Sequence, residues 1–398
     1  MAKSPGGSPK ELGGGTRVVV AGRQREWTQG IVNTPVWRAS TVLFDTVDDL
    51  RSSQPPIHGR LDYCRNGSPT TWSLCDAITG LEPGAAGTRL FPSGLAAISA
   101  TLLAFLQPTD ELLMVDTVYP KIRLLCDELL AQKGIRTRYY DPGIGPKIDR
   151  LFSPATRLIY LESPGSLTLE VQDVPAICRV ARASGITTIL DNSWATPLLF
   201  PAMAAGVDVS IIAGTKCLAG HGDAVIGLAT ASVSAWEQLD RAAMLLGQNA
   251  GPDEAWLASR GLRTLDVRLS RQGESGLRVA RWLSRHPSVE RVLHPGLPEF
   301  PSHELWQRDF RGACGLFAFI LRGGDDKACA RLVDRLDLFG IGLSWGSFES
   351  LALPVDPAQL RSATTWSAAG PLVRLHIGLE DPEDLIADLD RALAIYPD

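Results

Sequence analysis

The chain has 398 residues, 45% of them apolar and 21% charged, with a formal net charge of −5. These are values of an ordinary soluble globular protein long enough for two domains, and they give no reason to expect nucleic acid or a membrane surface as a partner. No apolar run approaches a transmembrane helix, the seven cysteines never stand as CxxC, and the six histidines show no HxxxH or HExxH spacing, which argues against a disulfide framework or a metal site.

Residues 1–15 are rich in Gly, Ser and Pro and lack an apolar signal core, so they read as a flexible tail on a cytoplasmic protein. Residues 16–67 alternate short apolar pieces with Pro, Gly and Arg and keep no sustained period. Such an irregular arm is often functional or wrapped on a partner. Its most distinctive piece is Tyr63-Cys64-Arg65-Asn66-Gly67-Ser68-Pro69-Thr70, which by itself also suits an exposed turn. Thr70 or Thr71 is placed to cap a helix running to about Gly80, and Gly84 to Gly87 then reads as a loop. Leu90-Phe91-Pro92-Ser93-Gly94 leads into LAAISATLLAFL, a strongly helical run. Ser-Gly at a helix start offers free backbone N–H groups and the positive dipole end to an anion. Serine also caps helices that bind nothing.

From residue 111 the pattern becomes regular. Strands are expected at 111–116, 157–163, 187–192, 207–214 and 224–231, with helices at 121–132 and 174–184. This alternation, with near-continuous apolar strands, implies a mostly parallel sheet flanked by helices. Ligands in such sheets bind at the carboxyl ends of the strands. Asp116, Glu162, Asp191 and Lys216 all fall at or just beyond strand ends. Residues 252–285 carry one long helical pattern. The C-terminal part then mixes strands (316–321 and 373–378) with helices (326–337 and 382–394). The division expected is a tail and arm over 1–67, an α/β domain over 68–263 and a smaller α+β domain over 264–398.

Lys216 stands out among only seven lysines, since it follows a buried strand and precedes small residues. Desolvation there lowers an ammonium pKa towards the free amine that Schiff-base chemistry needs. A lysine snorkelling from the strand end to a carboxylate fits the segment equally well. Asp191, at the end of the neighbouring strand, shifts the balance. A buried lysine and a buried acid on adjacent strand ends suit pyridoxal phosphate, the acid keeping the pyridine nitrogen protonated. Ser93, Gly94 and Leu95 offer a phosphate site, Thr215 a second hydroxyl and Tyr119 an aromatic to stack on the ring.

The motifs YCRNGSPT, PSGLAA, YLESPGSLTLEVQDVPAI, LDNSWATP, TKCLAGHGD, ASRGLRTLDVRLSRQ, SWGSFES and VRLHIGLEDPEDLIADLD carry a further signal. From about residue 17 onward the chain resembles the Cys/Met-metabolism family of fold-type-I pyridoxal-phosphate enzymes. Within it the resemblance is to the members that eliminate at Cβ of cystathionine. It implies an aspartate-aminotransferase-like fold with Lys216 as Schiff-base lysine and proton shuttle and Asp191 paired with the pyridine nitrogen. Tyr119 would stack on the ring and take part in catalysis, and Ser93, Gly94, Leu95 and Thr215 would cradle the phosphate. Tyr63 and Arg65 would reach the phosphate of a neighbouring subunit, which makes the chain a homo-oligomer, a dimer of dimers. Arg374 would clamp the carboxylate of an amino-acid substrate, with Ser344, Trp345 and Ser166 shaping the pocket. From its residues alone, Arg374 suits a surface partner of Glu380 or Asp381 better.

Trp345 and Ser166 stand where γ-acting relatives typically carry a smaller apolar residue and Asn, which favours β- over γ-elimination. A γ-acting relative, a specialised cysteine-S-conjugate lyase and, remotely, a non-catalytic cofactor-binding regulator are the alternatives. The chain also departs from the family pattern. Cys217 replaces a tyrosine, Gly222 the serine of GHSD, Ser347 a glycine of SWGG, and Pro120-Lys121 a small residue. Lys121 and Cys217 are expected close enough to the site to alter substrate preference.

Overall fold

The structure, a computed structural model, describes residues 12–54 and 59–396. Most of the tail expected over 1–15 therefore lies outside the described residues. Seven segments pair into one sheet: β1 (Ala85–Phe91), β2 (Glu111–Val115), β3 (Arg136–Tyr140), β4 (Thr156–Glu162), β5 (Thr187–Asp191), β6 (Val209–Ala213) and β7 (Gly227–Ser232). Their order is β1-β7-β6-β5-β4-β2-β3, and β7 alone runs against its neighbours. The other four pairings are parallel. Every residue of β2 is buried, because helices cover both faces of the sheet. That is why its sequence is continuously apolar rather than alternating.

Four further strands, β8 (Val289–Leu293), β9 (Leu316–Leu321), β10 (Leu351–Val355) and β11 (Leu372–His376), form an antiparallel sheet in the order β10-β11-β9-β8. Alternate residues of β9 face two cores. Leu316, Ala318 and Ile320 pack against the seven-stranded half, while Phe317, Phe319 and Leu321 join the helices Asp326–Val333 and Pro382–Leu393. The two halves are thus joined by apolar packing along one strand.

Several expectations need correction. The predicted loop at Gly84 to Gly87 is the start of β1. Gly87 serves packing, since a Cβ there would stand 2.5 Å from the Trp236 ring. The helix Pro69–Leu81 is capped by Ser68, whose N–H donates to Thr71 Oγ1 at 2.8 Å, whereas Thr70 spends its hydroxyl on the carbonyl of Pro35 at 2.7 Å. The single helix expected over 252–285 is two, Pro252–Leu262 and Leu265–Leu283. The helix expected over 121–132 starts at Pro120 and contains a π turn over Leu125–Leu130. The helix expected over 326–337 ends at Val333. Three strands escaped the pattern for physical reasons. The edge strand β3 carries two arginines, β8 places Glu and Arg on its exposed side, and β10 holds Pro354, tolerated because that strand is at an edge. Among its described residues the arm forms three short α-helices, Gly14–Val20, Arg25–Thr28 and Val47–Ser52, and one 3-10 turn, Cys64–Asn66. Among the described residues no helix is long and apolar enough to cross a membrane.

Candidate active site

The parallel register aligns Glu162 with Asp191 and Asp191 with Ile211, so the carboxyl ends of β4, β5 and β6 lie side by side. Beyond β6 the chain turns through Gly214 and Thr215 to Lys216, whose N–H donates to the Ala213 carbonyl at 3.0 Å. The turn is held from beneath by Arg268 on the helix Leu265–Leu283. Its guanidinium donates to the carbonyls of Cys217 (2.7 Å), Leu218 (3.2 Å) and Gly261 (2.7 Å). Gly220 leaves room for it, with φ +68° and no space for a Cβ against Arg268. Lys216 Nζ hydrogen-bonds Ser344 Oγ at 2.6 Å and lies 5.3 Å from the Trp345 ring centroid. Burial lowers its pKa to about 8, the like charge of Arg374 adds to this, and Asp191 opposes it.

Asp191 accepts the Ser193 N–H at 3.0 Å, and Ser193 Oγ accepts the Ala213 N–H at 2.7 Å, so one serine fixes the carboxylate and joins the ends of β5 and β6. Burial raises the Asp191 pKa against the pull of Ser193 and Lys216. Such a carboxylate gains from a cationic partner. Beside it, burial and the Asp191 charge push Glu162 well above the carboxylate range. Glu162 Oε2 accepts the Tyr119 N–H at 2.8 Å and so positions the loop that carries this tyrosine, a residue 45% exposed. Burial and Glu162 raise the Tyr119 pKa, while Arg374 opposes.

Ser93 caps the helix Gly94–Phe105. Its Oγ accepts the Ala96 N–H at 3.1 Å and its carbonyl the Ala97 N–H at 3.0 Å. No hydrogen bond among the described residues uses the N–H groups of Gly94 or Leu95. This turn is docked tightly on the sheet. A Cβ on Gly94 would lie 2.7 Å from Ala213, and one on Gly227 would lie 2.0 Å from the Ser93 carbonyl. Thr215 Oγ1 accepts the Ile226 N–H at 3.0 Å and makes only a long contact, 3.3 Å, to the Ile226 carbonyl, so its proton can turn to an anion.

Arg374, on β11, sends Nη2 to the carbonyls of Gly342, Leu343 and Ser344, each at 3.1 Å. Its Nε and Nη1 have no described hydrogen bond. It does not pair with Glu380 or Asp381, as its residues alone suggested. Glu380 instead holds Ser350 at 2.7 and 2.8 Å. Arg374 thus supports the loop bearing Ser344 and Trp345 and keeps part of its fork free for a carboxylate. Gly346 brings that loop onto Lys216, since a Cβ there would be 2.7 Å from the Cys217 nitrogen. Ser166 donates its N–H to the Thr117 carbonyl at 2.8 Å, which places its loop beside that of Tyr119. The structure does not bring Tyr63 and Arg65 to this cluster. The Arg65 guanidinium lies 5.6 Å from the Tyr63 ring centroid, and the adjoining Cys64 N–H bonds the Ser40 carbonyl at 2.9 Å.

Free N–H groups at a helix start, a lysine with lowered pKa and a buried carboxylate in need of a cation fit pyridoxal phosphate. The whole-chain comparisons decide the family. Residues 15–394 match the family described as Cys/Met metabolism PLP-dependent enzyme. The chain belongs to that family. The Escherichia coli K12 protein named cystathionine beta-lyase MetC is 45% identical over 95% of this chain and 98% of its own. The Salmonella typhimurium cystathionine beta-lyase is 44% identical over the same shares. The crystal structure of metB from Corynebacterium glutamicum superposes with a TM-score of 0.89 at 27% identity, covering 98% of this chain and 99% of that one. This Cys/Met-metabolism enzyme is thus a pyridoxal-phosphate protein of fold type I.

Two departures from the family pattern meet in space. A Cβ on Gly222 would stand 3.3 Å from Ser347 Oγ, so the hydroxyl absent from one position is present at the other. Ser347 Oγ is buried with no described partner, while its carbonyl accepts from Gln272 Nε2 at 2.6 Å and contacts His376 Nε2 at 3.1 Å. Cys217 is packed in the core. It is 1% exposed, and its hydrogen bond with the buried Cys314 is the chief cause of its lowered pKa. Lys121 is exposed at the start of its helix. Residue reasoning missed Ser193, Arg268 and Gln272, which act through backbone atoms. The signal for the last two was a pair of large polar side chains four residues apart in an otherwise amphipathic helix.

Asp116, singled out at a strand end, does not point at Lys216. It accepts from Ser362 N and Oγ (2.9 and 3.2 Å), from Thr364 N and Oγ1 (2.8 and 2.6 Å) and from Arg123. Arg361 bonds Glu170 at 3.0 Å and also Thr168. Residues 361–364 therefore strap the C-terminal half to the loops of Tyr119 and Ser166.

Proposed function

We propose that the chain is a carbon–sulfur β-lyase that splits L-cystathionine into homocysteine, pyruvate and ammonia, working in the cytoplasm on a step of methionine synthesis. The observation that carries this reading is Lys216. Its amine has a pKa near 8, hydrogen-bonds Ser344 at 2.6 Å and shares its surroundings with Asp191, Tyr119 and Arg374. The names of its relatives at 45% and 44% identity favour β-elimination from cystathionine.

In this reading Lys216 holds the cofactor covalently, Asp191 pairs with its pyridine nitrogen and Tyr119 stacks on its ring. Gly94 and Leu95 N–H, with the hydroxyls of Ser93 and Thr215, hold its phosphate at the helix N-terminus. The bound cofactor supplies an electron sink for charge developing at the substrate Cα. Arg374 binds the substrate carboxylate through the part of its fork not spent on the 342–344 carbonyls. Once exchanged for the substrate amine, Lys216 takes the Cα proton, and Ser344 keeps its Nζ in place. The Cβ–S bond then breaks, and Lys216 returns the proton to the leaving thiolate. The aminoacrylate released takes up water to give pyruvate and ammonia. Trp345 and Ser166 narrow the pocket about the scissile bond.

Tyr63 and Arg65 serve the phosphate of a second subunit, which gives a homodimer and, by pairing, a dimer of dimers. Exposed arm residues support this assembly, with Ile31 60%, Val32 69% and Leu43 89% accessible. The test is Lys216→Ala, which abolishes thiol release from L-cystathionine. Unchanged turnover would overturn the assignment.

A further inference from the structure

A cavity of about 460 Å³ lies between the helix Leu265–Leu283 and the segments around Leu198 and Arg311. It shares no lining residue with the cluster around Lys216. Its volume is in the range of small-molecule sites. Asp266 and Glu274 stand on its wall, eight residues apart and hence about 12 Å apart along the helix. Arg311 also lines it. None of the three makes an ion pair or side-chain hydrogen bond among the described residues, although the chain forms such pairs elsewhere. Leu198 and Trp306 add an apolar surface.

His294 lies behind this wall, fully buried, with Nδ1 accepting the Gly296 N–H at 2.9 Å and Nε2 sealed from solvent, so its ring backs the cavity and offers it no donor. The cavity therefore presents a guanidinium suited to a carboxylate, two carboxylates suited to an ammonium, and an apolar wall. One chemistry satisfies all three.

We propose that this cavity binds a free α-amino acid with an apolar side chain, at a site separate from the one built on Lys216. Its carboxylate is met by Arg311, its ammonium by Asp266 or Glu274, and its side chain by Leu198 and Trp306. The opposite face of the same helix holds the Lys216 turn through Arg268 and the Ser347 carbonyl through Gln272.

The test is calorimetric titration of L-methionine into the holoenzyme and three variants. The wild type shows two classes of site. Arg311→Ala and Glu274→Gln, both at exposed positions, keep one class and weaken the other by about tenfold or more. Arg374→Ala, which removes the substrate clamp, keeps the class that Arg311→Ala weakens. A single class in the wild type, or a second class unmoved by both Arg311→Ala and Glu274→Gln, overturns the proposal. Melting curves of the variants matching the wild type exclude unfolding as the cause of lost binding.

Discussion

At the scale of single residues, burial makes the Lys216 amine easier to deprotonate. Its environment favours the neutral amine, so attachment of pyridoxal phosphate to the cofactor-free protein should accelerate with pH and level off above about 8. Absorbance of the bound cofactor follows this directly. A midpoint near 10.5, the ordinary lysine value, would show that the pocket does not perturb the amine. The sequence made Lys216 and Asp191 legible because each is a charge at the end of an apolar strand. It did not reveal where Arg374 would go, since a lone arginine near Glu380 and Asp381 is more often their partner. Only the carbonyls of residues 342–344, distant in sequence, show otherwise. Gly222 and Ser347 look like two unrelated departures in the sequence, but a Cβ on Gly222 would stand 3.3 Å from Ser347 Oγ. We expect Gly222→Ser alone to crowd Ser347 and lower kcat, and Ser347→Gly alone to lose the hydroxyl. The double exchange should recover the part of the loss that comes from crowding, though not the strain of a side chain at the Gly222 φ of +70°, so the two effects are non-additive. Simple additivity in steady-state kinetics would mean that the pair is not coupled.

At the scale of elements, the site rests on how strands end. Ser193 joins β5 to β6, Glu162 at the end of β4 holds the Tyr119 loop, and Arg268 pins the Lys216 turn. These contacts use backbone atoms, and no side-chain pattern in a sequence reports them. The alternation of strand and helix was readable from residue 111 because central parallel strands are buried on both faces. The edge strands were not, since arginine, glutamate or proline interrupts them. The strap over residues 361–364 is a second element-scale device. Burial raises the pKa of Asp116, but hydrogen bonds from Thr364 and Ser362 outweigh it and hold the value at about 2. A folded-state pKa depressed below the unfolded one adds stability above pH 4. That contribution, about 2 kcal/mol, is lost as the pH falls from about 4 towards 2. Asp116→Ala leaves buried donors unpaired and takes from Arg123 its carboxylate partner, so it should cost about 3 kcal/mol in urea unfolding at pH 7 and raise KM more than it changes the cofactor spectrum. A loss below about 0.5 kcal/mol would show that the strap is not held by this carboxylate.

At the scale of the whole molecule, the proposed assembly makes a single chain an incomplete enzyme. Tyr63 and Arg65 lie in an arm that exposes apolar residues and do not meet the Lys216 cluster. The sequence suggested this through an arm with no core of its own. Arg65→Ala should weaken cofactor retention on dialysis by about tenfold while leaving the fold intact by circular dichroism. Full retention would argue that each chain completes its own phosphate site. The two halves, joined along β9, place Arg374, Ser344 and Trp345 from one sheet over Lys216, Asp191 and Tyr119 from the other. This convergence supports elimination at Cβ of an amino acid held by its carboxylate. Incubating the holoenzyme with L-cystathionine and identifying both products tests that claim most directly. Pyruvate with homocysteine is the predicted result, whereas 2-oxobutyrate with cysteine would contradict it.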